Sequence, residues 1–242
     1  MKIKSAAGWV GLILCASAAA QTLERPDVRQ GDAWVYRNTS EKAPSGWTQV
    51  RNEVTVTRVT GSSIYFTIRQ SGSTQAGREV YSQNDWARVR DVNGKETVVN
   101  RPMQFPLSVG KTWTVSYQEQ NPNKQHKLEK LETRFTVVGY EDVTVPAGTF
   151  HALKIEGEGT WSAQVAPEET VTQGAQVTES GTTMSSQVQK TAPRETSGRL
   201  YKAYWYVPDV KRWVKAVEEN YSSGGARNER FTDELESFKP AG

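Results

Sequence analysis

The sequence predicts a mainly β protein in which a large antiparallel sheet forms an open barrel or a sandwich. Segment after segment alternates β-branched or aromatic residues with polar ones and ends at Gly, Pro or Asn. Helical periodicity is nearly absent. The segments are short and closely spaced, which favours antiparallel pairing through hairpins.

The first twenty residues are predicted to be a secretory signal peptide. Lys2 and Lys4 form a positive start, residues 9–16 form an apolar stretch, and residues 18–20 are alanines of the size that a signal peptidase accepts. The apolar stretch is well short of the roughly 20 residues that span a bilayer. We therefore expect cleavage after Ala20, a periplasmic or secreted bacterial location, and a chain that is not an integral membrane protein.

Lipidation is the alternative for this segment, because Cys15 could become the acylated first residue of a lipoprotein. Such signals place a small residue just before the cysteine, and Leu14 is large. Cleavage after Ala20 is the preferred interpretation.

Removal of the signal takes away Lys2, Lys4 and the only cysteine, so the mature chain is close to neutral and has no disulfide. Lys and Arg are interleaved with Glu and Asp, as in residues 127–132, whereas a nucleic-acid partner would require a clustered basic surface. We predict no nucleic-acid partner. Residues 21–242 are predicted to form a single β-rich domain, stabilised by its hydrophobic core.

Ten segments show the alternation most clearly. The predicted strands are 32–37, 53–59, 63–70, 79–81, 112–118, 134–140, 141–145, 149–156, 201–207 and 212–218.

Two passages suggest that the sheet is built from two related β halves. Residues 31–36 and 110–117 each begin with a glycine and carry a tryptophan three residues later, Trp34 and Trp113, and an alternating strand pair follows each of them. A chance match of so few positions is the alternative.

Residues 162–198 differ in composition, being rich in Thr, Ser, Gln, Glu and Gly with isolated valines. Such a segment cannot bury enough apolar surface to offset its conformational entropy. We predict a disordered polar insertion at 162–198, and a long exposed hairpin is the alternative.

Two local motifs are strand–turn–strand patterns. In residues 143–150, Pro146 and Gly148 suit the turn, and in residues 205–215 Pro208 begins it. Together with residues 105–113, these motifs resemble an uncharacterised family of exported bacterial β-proteins related to domain of unknown function 3108. The resemblance covers roughly residues 103–238, with 162–198 as an insertion. It implies an extended antiparallel β fold and no established activity.

The chain departs from that family in the second motif. Asp209 and Lys211 stand where the resemblance leads us to expect the small residues of a Pro-Gly-Val-Gly turn. A differently shaped hairpin is expected there.

No constellation in the sequence indicates catalysis, so we predict that the protein is not an enzyme and has no catalytic residues, metal site or cofactor. His126 and His151 are the only histidines, and with no mature cysteine the usual zinc ligands are missing. Glu156 and Glu158 are the best carboxylate pair, but neighbours on one strand face usually form a solvated stripe with residues such as Lys154.

Export, the β architecture and the aromatic-rich second half favour a non-catalytic envelope protein that binds an amphipathic small molecule, a lipid or another apolar ligand on a concave sheet face. A glycan-binding module is one alternative, and it requires at least two exposed, coplanar tryptophans. A structural or assembly component that contacts another envelope protein through residues 162–198 is a further alternative.

The distribution of aromatic residues predicts where a ligand would lie. Trp161, Tyr204 and Tyr206 are predicted to border the ligand-binding pocket, with Trp205 and Trp213 in the core. On this interpretation, replacing Tyr204 and Tyr206 by Ser should leave the fold intact. The choice of face depends on the strand's partners, which the sequence does not identify.

Overall fold

A computed structural model describes residues 22–166, 169–178, 181–190, 192 and 194–242. For 169–178 and 181–190 the description covers the backbone. The predicted signal peptide at 1–20 and the predicted acylation alternative at Cys15 lie outside the described residues.

Within these residues the chain forms fourteen strands and one short 3-10 helix. In chain order they are β1 (Ala33–Lys42), β2 (Gly46–Val59), β3 (Ser63–Gln70), β4 (Arg78–Gln83), β5 (Arg88–Val92), β6 (Lys95–Asn100), β7 (Thr112–Gln120), β8 (His126–Val145), β9 (Gly148–Val165), β10 (Glu169–Thr178), β11 (Gly181–Lys190), β12 (Arg194–Val207), the 3-10 helix (Pro208–Val210), β13 (Arg212–Tyr221) and β14 (Arg227–Lys239).

Ten of these strands form one antiparallel sheet in the order β4-β3-β2-β1-β14-β13-β12-β9-β8-β7. The edge strands β4 and β7 do not pair with each other, so the sheet is not closed into a barrel. The β5–β6 hairpin reaches the β7 edge, where Asn93 Nδ2 donates to the carbonyl of Gln118 at 2.9 Å and Arg90 Nη1 bonds Glu119 at 2.7 Å. The prediction of a mainly β fold with a large antiparallel sheet is confirmed.

One face of the sheet carries the hydrophobic core, because alternate side chains of a strand point to opposite faces. The largest fully buried side chains include Trp34 on β1, Phe135 on β8 and Ile155 on β9. The opposite, convex face carries ion pairs, such as Arg37 with Glu234 at 2.7 Å between β1 and β14, and Lys154 with Glu156 at 2.9 Å along β9.

The two halves share their local backbone geometry. Gly31 and Gly110 have φ angles of +97° and +86°, which glycine adopts without a steric cost. The amide of Gly31 donates to the carbonyl of Val56 at 2.9 Å, and that of Gly110 donates to the carbonyl of Val137 at 2.8 Å. A register shift directly follows Val56 in β2 and Val137 in β8. The agreement in turn, hydrogen bond and bulge supports two related halves.

Almost all of the described residues of 162–198 lie in strands, and the disordered insertion stays a prediction. Strand β9 continues to Val165, β12 begins at Arg194, and β10 pairs with β11 in a hairpin. The hairpin alternative is what the backbone adopts, because the pairing of β9 with β12 continues to Val165 and Arg194 and brings the ends of β10 and β11 together. Residues 167, 168, 179, 180, 191 and 193 lie outside the description.

The turn between β12 and β13 explains the departure at Asp209 and Lys211. Lys211 takes the left-handed conformation with φ +62°, the position where a glycine is expected. Its ammonium bonds the fully buried Asp32 at 2.9 Å. Asp32 also accepts the backbone amides of Arg29 and Ala241 at 2.8 Å each. This carboxylate therefore joins the turn, the start of β1 and the C-terminal residues.

We expect Asp32→Asn to lower the free energy of unfolding by about 1–3 kcal/mol at pH 7. Burial alone would raise the pKa of Asp32, but the amides of Ala241 and Arg29 and the Lys211 ammonium hold it below its usual value of 3.8. The ionised Asp32 therefore stabilises the fold fully above pH 3.8, and this stabilisation is lost as the pH falls through the lower pKa of the folded state. Urea unfolding at pH 7 and pH 3 should show a difference between variant and wild type that shrinks at pH 3. Asp27→Asn, at an exposed ion pair, is the control, and a difference that persists at pH 3 would contradict the assignment.

Gly198 on β12 occupies a position where the neighbouring strands β9 and β13 leave no space for a side chain. A Cβ atom at Gly198 would lie 1.8 Å from the carbonyl oxygen of Tyr221 and 2.6 Å from Nε1 of Trp161. We expect Gly198→Ala to lower the free energy of unfolding by about 1–3 kcal/mol because the backbone must shift. At Gly224 the nearest atom is 3.8 Å away, so Gly224→Ala is the control. Equal thermal midpoints for the two variants would show that β12 can move without cost.

Candidate functional site

The largest cavity on the concave face has a volume of about 840 Å³. Strands β3 and β4 of the first half form one wall, and β12, β13 and β14 form the other. Its volume falls within the roughly 300–1,000 Å³ typical of small-molecule sites. The mouth includes the ring of Phe231 on β14, which is 41% exposed.

Aromatic rings pack edge to face around the inner part of the cavity. The ring of Trp86 lies 5.7 Å from that of Phe66 and 6.3 Å from that of Trp213, and the rings of Tyr204 and Trp213 are 5.5 Å apart. These interplanar angles of 64–72° are favourable for aromatic pairs. The inner wall is therefore rigid and apolar.

The rings are held in place by hydrogen bonds to the turn that precedes β13. The indole Nε1 of Trp34 donates to the carbonyl of Val210 at 2.8 Å, and that of Trp86 donates to the carbonyl of Lys211 at 3.0 Å. The hydroxyl of Tyr36 donates to the carbonyl of Trp213 at 2.6 Å. Side chains of the first half thus position the start of β13.

Arg212 projects from that start into the ring cluster. Its guanidinium carbon lies 4.2 Å from the ring centre of Trp213, 4.6 Å from that of Trp86 and 5.2 Å from that of Tyr36. Burial lowers the pKa of Arg212, while the charges of Tyr36 and Asp233 act in the opposite sense. An arginine remains protonated at neutral pH even so. The cavity therefore holds a buried positive charge.

Asp233 faces Arg212 from β14 and belongs to a row of polar side chains across three strands. Asn38 Nδ2 donates to Asp233 Oδ1 at 2.6 Å, and Asn52 Nδ2 donates to Asn38 Oδ1 at 2.9 Å. Burial raises the pKa of Asp233, against the effects of Asn38 and Arg212.

A second polar group lies at Glu218. Its carboxylate accepts the Tyr204 hydroxyl at 2.6 Å and the Lys202 ammonium at 3.0 Å, and Asn100 donates to the Tyr204 hydroxyl at 2.9 Å. Burial works against the charged form, but Lys202 and Tyr204 hold the pKa of Glu218 below its usual value. The pKa of the Tyr204 hydroxyl is raised well above its usual value by burial and by Glu218. This group is satisfied internally.

The three residues predicted to border a pocket are not brought together. Tyr204 lines the cavity, although it is 2% exposed. Tyr206 is fully buried in the second half, with its ring 5.5 Å from that of Phe105. Trp161 covers Gly198 and donates to the carbonyl of Tyr221 at 3.2 Å, away from the cavity.

The predicted faces of residues 204–206 are therefore reversed. Tyr204 pairs with Ile155 and Ala216, whereas Trp205 pairs with Lys154 and Lys215. Because the two lysines belong on the solvent side, Trp205 lies half-buried on the convex face with its Nε1 bonded to Glu141 at 2.6 Å. Trp213 is buried as predicted, but it also lines the cavity.

A glycan platform requires at least two exposed, coplanar tryptophans, and the part of the chain that the structure describes does not provide them. Trp47, 67% exposed, is the one tryptophan there among the exposed large side chains. The candidate carboxylate Glu156 is engaged on the convex face by Lys154 and by the hydroxyl of Tyr201, each at 2.9 Å.

Sequence reasoning did not identify Arg212, Asp233, Phe66 or Trp86 as site residues. The sequence does contain one indication for Arg212: it shares every second position of its strand with the apolar residues Val214 and Ala216. A charged residue at a core position of a strand is unusual and indicates a special environment.

No family model and no curated protein matches the chain, so the resemblance to domain of unknown function 3108 stays a prediction. Two crystal structures show similarity over 90% of this chain and 100% of theirs. One, from Parabacteroides distasonis and described as a lipoprotein, is 13% identical with a TM-score of 0.43. The other, from Bacteroides fragilis and described as an exported protein with a YmcC-like fold, is 15% identical with a TM-score of 0.39.

These scores are too low to transfer any property to this chain. Among the residues for which structure is described, no helix has the length and apolar character needed to cross a membrane.

We expect Tyr206→Ser to lower the free energy of unfolding by about 3–5 kcal/mol, because it removes a fully buried ring. Tyr140→Ser, at an exposed position on β8, is the control and should cost less than about 1 kcal/mol. Urea unfolding followed by circular dichroism measures both. Equal losses in the two variants would contradict a core role for Tyr206.

Proposed function

We propose that this protein is a non-catalytic, exported envelope protein that binds an amphipathic or apolar ligand in the concave-face cavity. The cavity of about 840 Å³ between the two halves is the observation that carries this proposal. Its inner wall is aromatic, and its mouth exposes the apolar ring of Phe231. The N-terminal signal pattern supports a periplasmic or secreted location.

Two features favour binding over catalysis. The ionisable groups near Glu218 are paired with one another in a hydrogen-bonded network, so none is an unpaired acid or base. An aromatic inner wall together with polar groups at fixed positions is typical of sites that enclose a small molecule. Assembly with an envelope protein partner through residues 162–198 remains the alternative and would not require the cavity.

The test uses protein purified without detergent and the uncharged fluorescent probe N-phenyl-1-naphthylamine. We expect saturable fluorescence enhancement, displacement of the probe by dodecanol, and a 1:1 complex in native mass spectra. Val80→Trp would place an indole in the cavity from β4 and should weaken probe binding about tenfold or more, equivalent to roughly 1.4 kcal/mol.

Val138→Trp is the matched control, because Val138 is 47% exposed and lies outside the cavity. It should bind the probe like the wild type. No enhancement and no bound species in the wild type would refute the proposal, and equal weakening by both substitutions would place the probe elsewhere.

A further inference from the structure

Arg212 is buried without the partners that a buried guanidinium normally has. Its residue surface is 8% exposed, and it lines the cavity. Within the described part of the chain, Nε and Nη1 have no hydrogen-bond partner, and the side chain forms no ion pair with a carboxylate. Leaving such donors unpaired is costly, more so for a charged group.

The surrounding rings do not satisfy these donors. The cation–π contacts with Trp213 and Trp86 place ring faces near the guanidinium, but its N–H groups lie in its own plane and require acceptors there. The rings therefore fix the position of Arg212 and leave its charge without an oxyanion partner among the described residues.

The chain's own carboxylates near the cavity are engaged by other groups. Asp233 accepts a hydrogen bond from Asn38 at 2.6 Å, and Glu218 accepts from Lys202 and Tyr204. The wall carries three arginines and three carboxylates, and Lys202 neutralises one of the carboxylates. No carboxylate of the described residues is therefore hydrogen-bonded to Arg212, whose charge faces the cavity without a bonded counter-ion.

From this arrangement we infer that the ligand is an anionic amphiphile whose carboxylate or phosphate head bonds the guanidinium of Arg212. Planar or tetrahedral oxyanions match the paired donors of an arginine. The apolar tail then runs along Phe66 and Trp213 towards the exposed ring of Phe231 at the mouth. This inference rests on the proposed function, since it specifies the ligand of the same cavity.

The experiment compares ligands with one chain length and different heads: dodecanoate, dodecyl phosphate, dodecanol and dodecyltrimethylammonium. Dissociation constants are measured by displacement of N-phenyl-1-naphthylamine from the wild type at pH 7.5. We expect the better of the two anions to bind about tenfold or more tightly than the alcohol, and the cation to bind most weakly. The two anions distinguish a carboxylate ligand from a phosphate ligand.

The same ligand series distinguishes failure of the anionic ligand from failure of the proposed binding function. If acid, alcohol and cation bind equally well, the anionic ligand is refuted while the apolar binding function stands. If none of the four displaces the probe and none binds in native mass spectra, the binding function itself is refuted.

Variants then test the role of Arg212. Arg212→Gln should abolish the preference for the anion and keep the affinity for dodecanol, whereas Arg212→Lys, which keeps the charge, should retain part of the preference. Arg78→Gln is the matched control, because Arg78 lies at the exposed mouth of the same cavity. It should keep the preference, and an equal loss in Arg78→Gln would assign the effect to general electrostatics and overturn the role of Arg212.

If Arg212→Gln does not fold by circular dichroism, Arg212→Lys and the wild-type ligand series decide the question. If Arg212→Lys prefers both dodecanoate and dodecyl phosphate over dodecanol as strongly as the wild type does, hydrogen bonding of the head to the guanidinium is refuted.

Discussion

The pairing of β14 with β1 on one side and with β13 on the other is the interaction on which the rest of the structure depends. It joins four strands of the first half to the strands of the second half in one sheet. The outward side chains of β14 are charged, and its neighbours supply the opposite charges: Glu234 bonds Arg37 and Lys215, and Glu236 bonds Arg51. Its inward side chains, including the buried Leu235, face the core. A strand this polar is stable at the centre of a sheet because its partners complement it on both faces.

The join also creates the cavity. Phe66 and Trp86 come from the first half, and Tyr204 and Trp213 come from the second, and the rings of Trp86 and Trp213 meet across the join at 6.3 Å. Neither half provides both walls. The local turn geometry at Gly31 and Gly110 is repeated, but β13 and β14, which lie in the sheet between the repeated strands β1–β3 and β7–β9, carry the charged groups Arg212, Glu218 and Asp233. The repeated elements build the scaffold, and the strands between them provide the chemical character of the site.

Arg212 is a charged residue at a position of the sheet where an apolar side chain is expected. Most core positions of the sheet carry apolar side chains, whereas this one carries a charge enclosed by rings and held by a turn that Trp34, Trp86 and Tyr36 fix through three hydrogen bonds. Lys211 in the left-handed conformation and its ion pair with Asp32 fix the same turn from the other side. Residues that break local sequence rules concentrate at functional or strained sites. Here several long-range contacts support one such residue, the buried Arg212.

The sequence by itself determined the fold class, most of the strands and the turns, because period-two alternation and glycines at positive φ are local properties of the backbone. It did not reveal β14, β5 or β6, because their charged residues mask the alternation, and it offered a hairpin at 162–198 only as the alternative to a disordered insertion. It also could not orient residues 204–206, since both faces of that strand are aromatic and only the partners Lys154 and Lys215 show that Trp205 faces outward. The tertiary structure decided these points, and with them the site, because ion pairing and strand parity depend on strands distant in sequence.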